Sequence, residues 1–292
     1  MQFSAFGEKF TQHSGILQLM DDLGDALKSD KPVNMLGGGN PARIPEIDQA
    51  FADIFSKLAA EHAVENIGNY SNPQGDAALI DALTTFLNRE YGWNLTAGNI
   101  ALTNGSQNAF FYLFNLFGGK FKLSDGTSAE KAILLPLAPE VVKTVSSLNA
   151  IVNLAPTRFG AAIATPLLES GEMKRLADQV IRPFYRNQAQ TAVSLLKHEL
   201  GAYPMKIHKP EGAIFLWLWF ENLPVSSQTL YEMLKAEGTL IIPGEHFFVG
   251  IDTQDYPHAG ECIRMSIAQD AHTLEKGIAA IGKTVRKLYD NV

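Results

Sequence analysis

The spacing of hydrophobic residues along the first half of the chain predicts helices separated by irregular segments. Apolar positions recur every three or four residues over 15–27, 47–60 and 76–91, which is the period of an amphipathic helix. Between these stretches, residues 32–45 (PVNMLGGGNPARIP) and 70–75 (YSNPQG) are rich in Gly and Pro. Such clusters favour loops and turns over regular structure, so we predict a loop at the first and a turn at the second.

Residues 100–117 predict a short strand, a turn and a helix. The apolar segment Ile100–Thr103 is a strand candidate, and Asn108–Phe117 has helical periodicity that ends at Gly118 and Gly119. Four large residues of the helix share one face, and we expect that face to be buried: Phe110, Leu113, Phe114 and Phe117.

The second half of the chain changes character along its length. We predict a polar loop over Lys120–Glu130, a buried strand over Ala132–Leu137, and helical structure over Leu167–Leu200 with a kink or break at Pro183. Three strands and a last helix follow: Gly212–Phe220, Thr239–Ile242, Cys262–Ile267 and Leu274–Tyr289. The chain therefore begins as an α/β protein and ends as a smaller α+β unit.

Composition narrows the classes of protein that this chain can belong to. Its 292 residues are 46% hydrophobic, and 24 basic against 31 acidic residues give a net charge of −7. This is a globular composition of about two domains, and its acidity argues against nucleic acid or an anionic membrane as the main partner. The longest apolar run, Ala213–Phe220, is too short to span a bilayer.

Cysteine and histidine usage excludes other classes of site. Cys262 is the only cysteine, so neither a disulfide within the chain nor a multi-cysteine metal site can form. The seven histidines show none of the spacings that bind metal ions, and we expect no metal site. The N-terminus has no basic segment followed by an apolar one, and we therefore expect a cytoplasmic protein.

The first candidate binding site is the TNGSQ segment that precedes the helix after Ile100–Thr103. Gly105 allows close approach of a ligand, while Ser106, Gln107 and the free N–H groups of the helix could bind phosphate. The alternative is a tight turn in which Ser106 caps the helix. On this motif alone the alternative is favoured, because it is neither a P-loop nor a GxGxxG motif.

The second candidate is Arg264, which lies between apolar residues in the strand CIRMSIA. Alternation along a strand would place its guanidinium at a half-buried position, where it needs a carboxylate or a phosphate. A structural ion pair with an Asp or Glu is an equally good interpretation.

Two further residues, Gly39 and Tyr70, are weaker candidates for ligand binding. Gly39 belongs to a GGGNP loop that could press against a ligand but is more simply a turn. Tyr70 precedes the SNPQG turn, where a tyrosine usually serves packing.

The order of these motifs resembles the aminotransferases of fold type I, which depend on pyridoxal 5'-phosphate. The resemblance is carried by LGGGNPARIPE (36–46), YSNPQG (70–75), ALTNGSQNAFFYLFNLF (101–117), HKPEGAIFLWLWF (208–220) and IIPGEHFFVG (241–250). Within the family the chain is most similar to the branch that exchanges amino groups between valine and pyruvate. The resemblance implies a large cofactor-binding domain over 46–175 and a small domain from 1–45 and 176–292.

The resemblance also implies roles for the candidate residues. Gly105, Ser106 and Gln107 would bind the cofactor phosphate, and Tyr70 would reach the phosphate of a neighbouring subunit in a homodimer. Arg264 would bind the α-carboxylate of an amino acid or 2-oxo acid, with Gly39 in the loop that faces it. The implied products of valine and pyruvate are 2-oxoisovalerate and alanine.

One part of the family pattern is missing from this sequence. The family has an Asn, an Asp and a Schiff-base lysine in its central strands, each within a characteristic motif. None of these motifs is found between Gln107 and Arg264. The break falls near Glu140–Val141, so the large domain would be incomplete. Either the protein lacks this segment or it is longer than these 292 residues, and we favour the second explanation.

Two alternatives to an active aminotransferase remain open at this point. A non-catalytic relative could keep the scaffold as a binding or interaction protein, without a covalent link to the cofactor. An aminotransferase-like domain of a transcription regulator would need a DNA-binding domain, and no basic helix-turn-helix precedes the matched region.

Overall fold

A computed structural model of the chain describes residues 2–4, 8, 20–22, 24, 33–61, 67–122, 127–131, 139–248, 251 and 255–291. The chain divides into two compact units: an inner unit, Ile44–Val180, and a terminal unit formed by Met1–Arg43 and Ile181–Val292. The roles of a large and a small domain over 46–175 and the flanking residues stay predictions. Two expected elements, the helix over 15–27 and the strand over Ala132–Leu137, lie mostly or wholly outside the described residues.

The inner unit consists mainly of helices. Its elements are α1 (Pro45–Ala60), α2 (Ala77–Tyr91), α3 (Ser106–Phe117), β2 (Gly119–Lys122), β3 (Ser128–Lys131), α4 (Pro139–Val152), α5 (Phe159–Glu169) and α6 (Glu172–Leu176). A short 3-10 helix, Ala97–Asn99, precedes α3, and a π-helical turn, Ala177–Ile181, follows α6. The predicted helices over 47–60 and 76–91 are thus confirmed.

The terminal unit contains the larger sheet. Its elements are β1 (Asn34–Met35), α7 (Arg182–Leu200), β4 (Met205–Ile207), β5 (Phe215–Phe220), α8 (Ser227–Ala236), β6 (Thr239–Leu240), β7 (Ile242–Pro243), β8 (Cys262–Ser266) and α9 (Ala271–Asp290). The antiparallel sheet has the order β4-β5-β8-β7, and β1 pairs with β6 in parallel. The strands and the last helix predicted from the sequence are confirmed, and Pro183 lies in the first turn of α7.

Alternation along β5 determines how the terminal unit packs. Leu216, Leu218 and Phe220 are buried, whereas Phe215 and the two tryptophans between them are partly exposed. The buried side chains belong to one cluster of 21 buried residues, to which α7, α8 and α9 also contribute. At ~25 cal/mol per Å² of buried apolar area, such a cluster is the main source of stability in this unit.

Two predicted elements of the inner unit are wrong. The segment Ile100–Thr103 has no strand conformation, and among the described residues its backbone bonds to side chains and to turn and loop backbone instead of to a strand. Gln74 Nε2 donates to Ile100 O at 2.7 Å, and Asn149 Nδ2 donates to Leu102 O at 2.7 Å. The described residues at both ends of the expected loop Lys120–Glu130 form an antiparallel strand pair, β2 with β3, whose polar sequence hides the strand period.

The buried face predicted for α3 is also wrong. Phe110 and Phe114 stack on each other at 5.8 Å between ring centroids, yet they are 49% and 53% exposed. Tyr112 is the fully buried residue of this helix. Among the described residues, the second core cluster, which lies in the inner unit, has four buried members: Leu79, Ala82, Ala161 and Leu168. An apolar helix face without cover is expected if the central strands of a large domain are missing.

The exposure of α3 predicts an unusual tolerance to mutation. Phe114→Ala should lower the free energy of unfolding by less than about 1 kcal/mol, whereas a buried aromatic residue typically costs 3–5 kcal/mol. Tyr112→Ala, on the same helix, is the matched control and should cost ~3 kcal/mol or more. Urea unfolding of both variants measures this difference. Equal costs would mean that the face around Phe114 is covered in solution.

No helix among the described residues is both long and apolar enough to cross a membrane.

Candidate active site

Strand pairing in the terminal unit places Arg264 on the aromatic face of the sheet. Arg264 lies opposite Trp217 in the antiparallel pair of β5 and β8, and directly opposed residues point to the same side. The alternation of β5 puts Phe215 on this face too, away from the buried side of the strand. The half-buried position predicted for Arg264 is therefore confirmed, because the aromatic side chains on this face partly cover its side chain.

The guanidinium of Arg264 is held by two rings and one carbonyl. Its Cζ lies 3.9 Å from the centroid of Phe215 and 5.4 Å from that of Phe247. Arg264 Nη2 donates to Gly37 O at 3.2 Å. Rings on which a guanidinium stacks attract its positive charge and restrict its orientation. The plane of the guanidinium is thus set before any ligand binds.

The charge of Arg264 has no acidic partner among the residues that the structure describes. Its Nε is buried without a hydrogen-bond partner, and burial lowers the pKa of the guanidinium from its ordinary value. The expected alternative, a structural ion pair to an Asp or Glu, is not found in this part of the chain. A buried charge without a partner is costly, so the site favours an anionic ligand.

A cavity of about 330 Å³ lies beside Arg264 within the terminal unit. The residues that line it include His208, Lys209, Glu211, Phe215, Trp217 and Arg264. The carboxylate of Glu211 binds Lys209, so it is already neutralised. The cavity therefore presents Arg264 as its anion-binding group, surrounded by apolar rings, which suits a small carboxylic acid with an apolar side chain.

The glycine loop lies against the same group of side chains. A Cβ on Gly39 would meet Phe215 Cζ at 3.9 Å, and one on Gly37 would meet Ile241 O at 3.1 Å. Gly37 is buried and supplies the carbonyl to Arg264, whereas Gly39 is exposed. The structure thus brings Gly39 and Arg264, predicted separately from the sequence, close to the same ring, that of Phe215.

In the inner unit, α3 begins at the predicted phosphate loop. Gly105 precedes the helix with φ +83°, a conformation that favours glycine, and no side chain caps the first turn. The sequence alternative, capping by Ser106, is therefore not found. Among the described residues, the N–H groups of Ser106 and Gln107 have no hydrogen-bond partner, and both residues are exposed. A helix start of this kind fits a phosphate group.

Tyr70 lies at the start of a tight turn in the inner unit. Gly75 N donates to Asn72 O at 2.8 Å, which closes the turn predicted over 70–75. The side chain of Tyr70 is 81% exposed, so it is not a packing residue within this chain. Its expected contact with a second subunit stays a prediction.

Sequence reasoning missed the buried amide of Asn149. Asn149 is 0% exposed in α4, and it donates to Pro73 O at 3.0 Å and to Leu102 O at 2.7 Å. It occupies the same helix face as the buried Val145, four residues earlier. A polar residue on an apolar face was the available signal, because such a residue must find hydrogen bonds inside the protein.

The catalytic lysine remains unassigned. The expected break at Glu140–Val141 lies inside α4, where the backbone runs as a helix from Pro139. Lys143, three residues after Glu140, is exposed on the same helix. Among the described residues, no group of three His, Cys, Asp or Glu side chains is placed to hold a metal ion.

Comparison with known proteins identifies the family. No family model matches the chain. It is 42% identical to a putative amino-acid aminotransferase from Psychrobacter arcticum 273-4, with all of both chains covered and a TM-score of 0.90. The valine-pyruvate aminotransferase of Salmonella typhimurium LT2 is 27% identical over 95% of this chain and 100% of its own, with a TM-score of 0.82.

A third relative shows the missing segment. The valine–pyruvate aminotransferase of Escherichia coli K12 is 29% identical over 419 aligned positions, which cover 99% of each protein. Because this chain has 292 residues, more than a hundred of those positions lie opposite none of them. Aminotransferases at 13–16% identity share the fold, with TM-scores of 0.69–0.76. The chain belongs to the pyridoxal-phosphate-dependent aminotransferases of fold type I.

Proposed function

We propose that the protein transfers an amino group between valine and pyruvate, giving 2-oxoisovalerate and alanine. The observation that carries this proposal is Arg264, a half-buried guanidinium without an acidic partner among the described residues, beside a cavity of about 330 Å³. A carboxylate is common to all four compounds. The named valine–pyruvate relatives support this choice of substrates among amino acids and 2-oxo acids.

The cofactor of this reaction is pyridoxal 5'-phosphate. The uncapped start of α3 fits its phosphate, which Gly105, Ser106 and Gln107 would hold through backbone N–H groups and side chains. Tyr70, which is 81% exposed, would reach the phosphate site of a neighbouring subunit, so the active form would be a homodimer. When bound, the cofactor supplies a pyridinium ring that takes up electrons from the substrate α-carbon.

Arg264 would orient the substrate. A guanidinium whose plane is set by Phe215 and Phe247 can bind a carboxylate through two parallel N–H bonds. Gly39, whose added Cβ would meet Phe215 Cζ at 3.9 Å, would leave room for the carboxylate to approach. Orientation of this kind aligns the α C–H bond with the group that removes its proton.

The group that removes the proton is the residue that this chain lacks. A Schiff-base lysine binds the cofactor and moves protons in enzymes of this kind, and we place it in the segment missing near Glu140–Val141. The 292-residue chain is therefore proposed to be inactive by itself, although the family is catalytic. The named relatives are aminotransferases, and nothing in the comparisons favours a non-catalytic binding protein.

We propose a cytoplasmic location, because a single cysteine is typical of proteins in reducing compartments. Its net charge of −7 argues against nucleic acid and anionic membranes as partners.

The test of this function is a substrate panel with protein purified from its natural source. With pyruvate as acceptor, we expect valine to be used at least ~10-fold more efficiently than aspartate or tyrosine, judged by kcat/KM. Coupled detection of alanine measures the rate. Absence of amino transfer with every donor would contradict the activity, and preference for an acidic or aromatic donor would contradict the substrate.

A further inference from the structure

Asn149 joins two segments of the inner unit that contain predicted cofactor residues. One of its amide hydrogens goes to Pro73 O, within the turn that follows Tyr70, and the other goes to Leu102 O, three residues before Gly105. The side chain is fully buried. A single amide thereby sets the distance between the Tyr70 turn and the start of α3.

Other side chains of the same region support this link. Leu102 N donates to Gln74 O at 2.8 Å, and Gln74 Nε2 returns two bonds to the 97–100 segment. Because no strand of the described residues pairs with Ile100–Thr103, these amide side chains and the Gln74 carbonyl fix the backbone instead of a sheet. The position of the phosphate loop thus depends on a few side-chain bonds.

The residues that follow α4 hold the same two segments again. Ser71 Oγ donates to Pro156 O at 2.9 Å, and Thr157 N donates to Asn104 Oδ1 at 2.8 Å. These two contacts join the same segments that Asn149 joins. The stretch from Asn149 to Thr157 therefore holds the segments next to Tyr70 and Gly105 through four hydrogen bonds.

We propose that Asn149 is a positioning residue for the phosphate of the cofactor. This inference rests on the proposed function, since it assumes that Tyr70 and Gly105–Gln107 bind that phosphate. An apolar residue here would leave both carbonyl oxygens without these donors, and the amide supplies them although its own Oδ1 is buried without a partner among the described residues. Its two donors match two carbonyl oxygens, and an aspartate would present oxygen to both of them.

The test uses pyridoxamine 5'-phosphate and pyridoxamine, which bind without a Schiff-base lysine and differ in the phosphate. Calorimetric titration of the 292-residue protein measures both affinities for wild type, Asn149→Ala and Asn153→Ala. Asn153, one helical turn later, donates to Tyr112 OH instead of to the two loops, so it is the matched control. We expect Asn149→Ala to weaken pyridoxamine 5'-phosphate about tenfold and pyridoxamine less than twofold.

The outcomes separate this inference from the proposed function. If the wild-type protein does not prefer the phosphorylated compound, the phosphate site itself is wrong. If it does, and Asn149→Ala keeps the wild-type ratio of affinities or Asn153→Ala lowers it equally, the role of Asn149 is refuted. Should Asn149→Ala fail to fold, Asn149→Ser, which keeps one donor, decides: an unchanged ratio refutes the role and a reduced ratio supports it.

Discussion

Replacing Arg264 by alanine is expected to weaken the binding of 2-oxoisovalerate about 100-fold, which corresponds to ~2.7 kcal/mol. The reason is that Arg264 lines the cavity without an acidic partner among the described residues, and its removal would take away both proposed bonds to the carboxylate. Trp217 lies opposite Arg264 in the sheet and packs edge-on against Phe247 at 5.2 Å. Its fluorescence should therefore report binding in the 292-residue protein.

Two further variants test whether the loss of affinity comes from the guanidinium of Arg264 itself. Arg264→Lys keeps the charge but loses the planar fork, so we expect an intermediate loss of roughly tenfold. Arg286→Ala removes a surface cation that pairs with Glu199, and it should leave the affinity unchanged. The affinity for pyridoxamine 5'-phosphate should also survive Arg264→Ala. Equal loss of both ligands would show that Arg264 stabilises the fold rather than binding the carboxylate.

The 292-residue protein is expected to show no amino transfer from valine to pyruvate above background. Proton transfer by a positioned residue contributes about 10²–10⁴-fold to catalysis, and the lysine also forms the link to the cofactor. Incubation with pyridoxal 5'-phosphate followed by borohydride should label no single lysine stoichiometrically. Peptide mass mapping measures the labelling, and the coupled alanine assay measures turnover.

A positive result in either assay would change the account. Stoichiometric labelling at Lys143, for example, would place a Schiff-base lysine on α4 and make the missing segment unnecessary for the covalent link. Turnover without labelling would mean that catalysis proceeds without the covalent link that the family uses. Free pyridoxal 5'-phosphate with amino acids, but without protein, is the control in both assays.

The sequence predicted the terminal unit well because its signals are local. Alternation in β5 and the helical period of α9 depend on burial within the unit, and the structure provides that burial through one cluster of 21 buried residues. The half-buried position of Arg264 followed from the same alternation. Its clamp between Phe215 and Phe247 could not be predicted, because Phe247 comes from a distant 3-10 helix.

The inner unit was predicted less well because its signals assume neighbouring elements that are not found among the described residues. The apolar face of α3 and the segment Ile100–Thr103 have the patterns of buried elements, yet Phe114 is 53% exposed and the strand does not form. The pattern of apolar residues shows that a segment is suited to burial. A strand forms only if a partner strand is also present. The buried amide of Asn149 fills part of that role through contacts 47 and 76 residues away in sequence.

The intact mass of the protein purified from its natural source tests the central claim most directly. The claim is that the working enzyme contains a segment, with its catalytic lysine, near Glu140–Val141 that the 292 residues lack. Our account predicts a mass larger than 31.9 kDa by more than about 10 kDa, since more than a hundred positions of the relative are unmatched. A mass of 31.9 kDa for a preparation that transfers amino groups would contradict it.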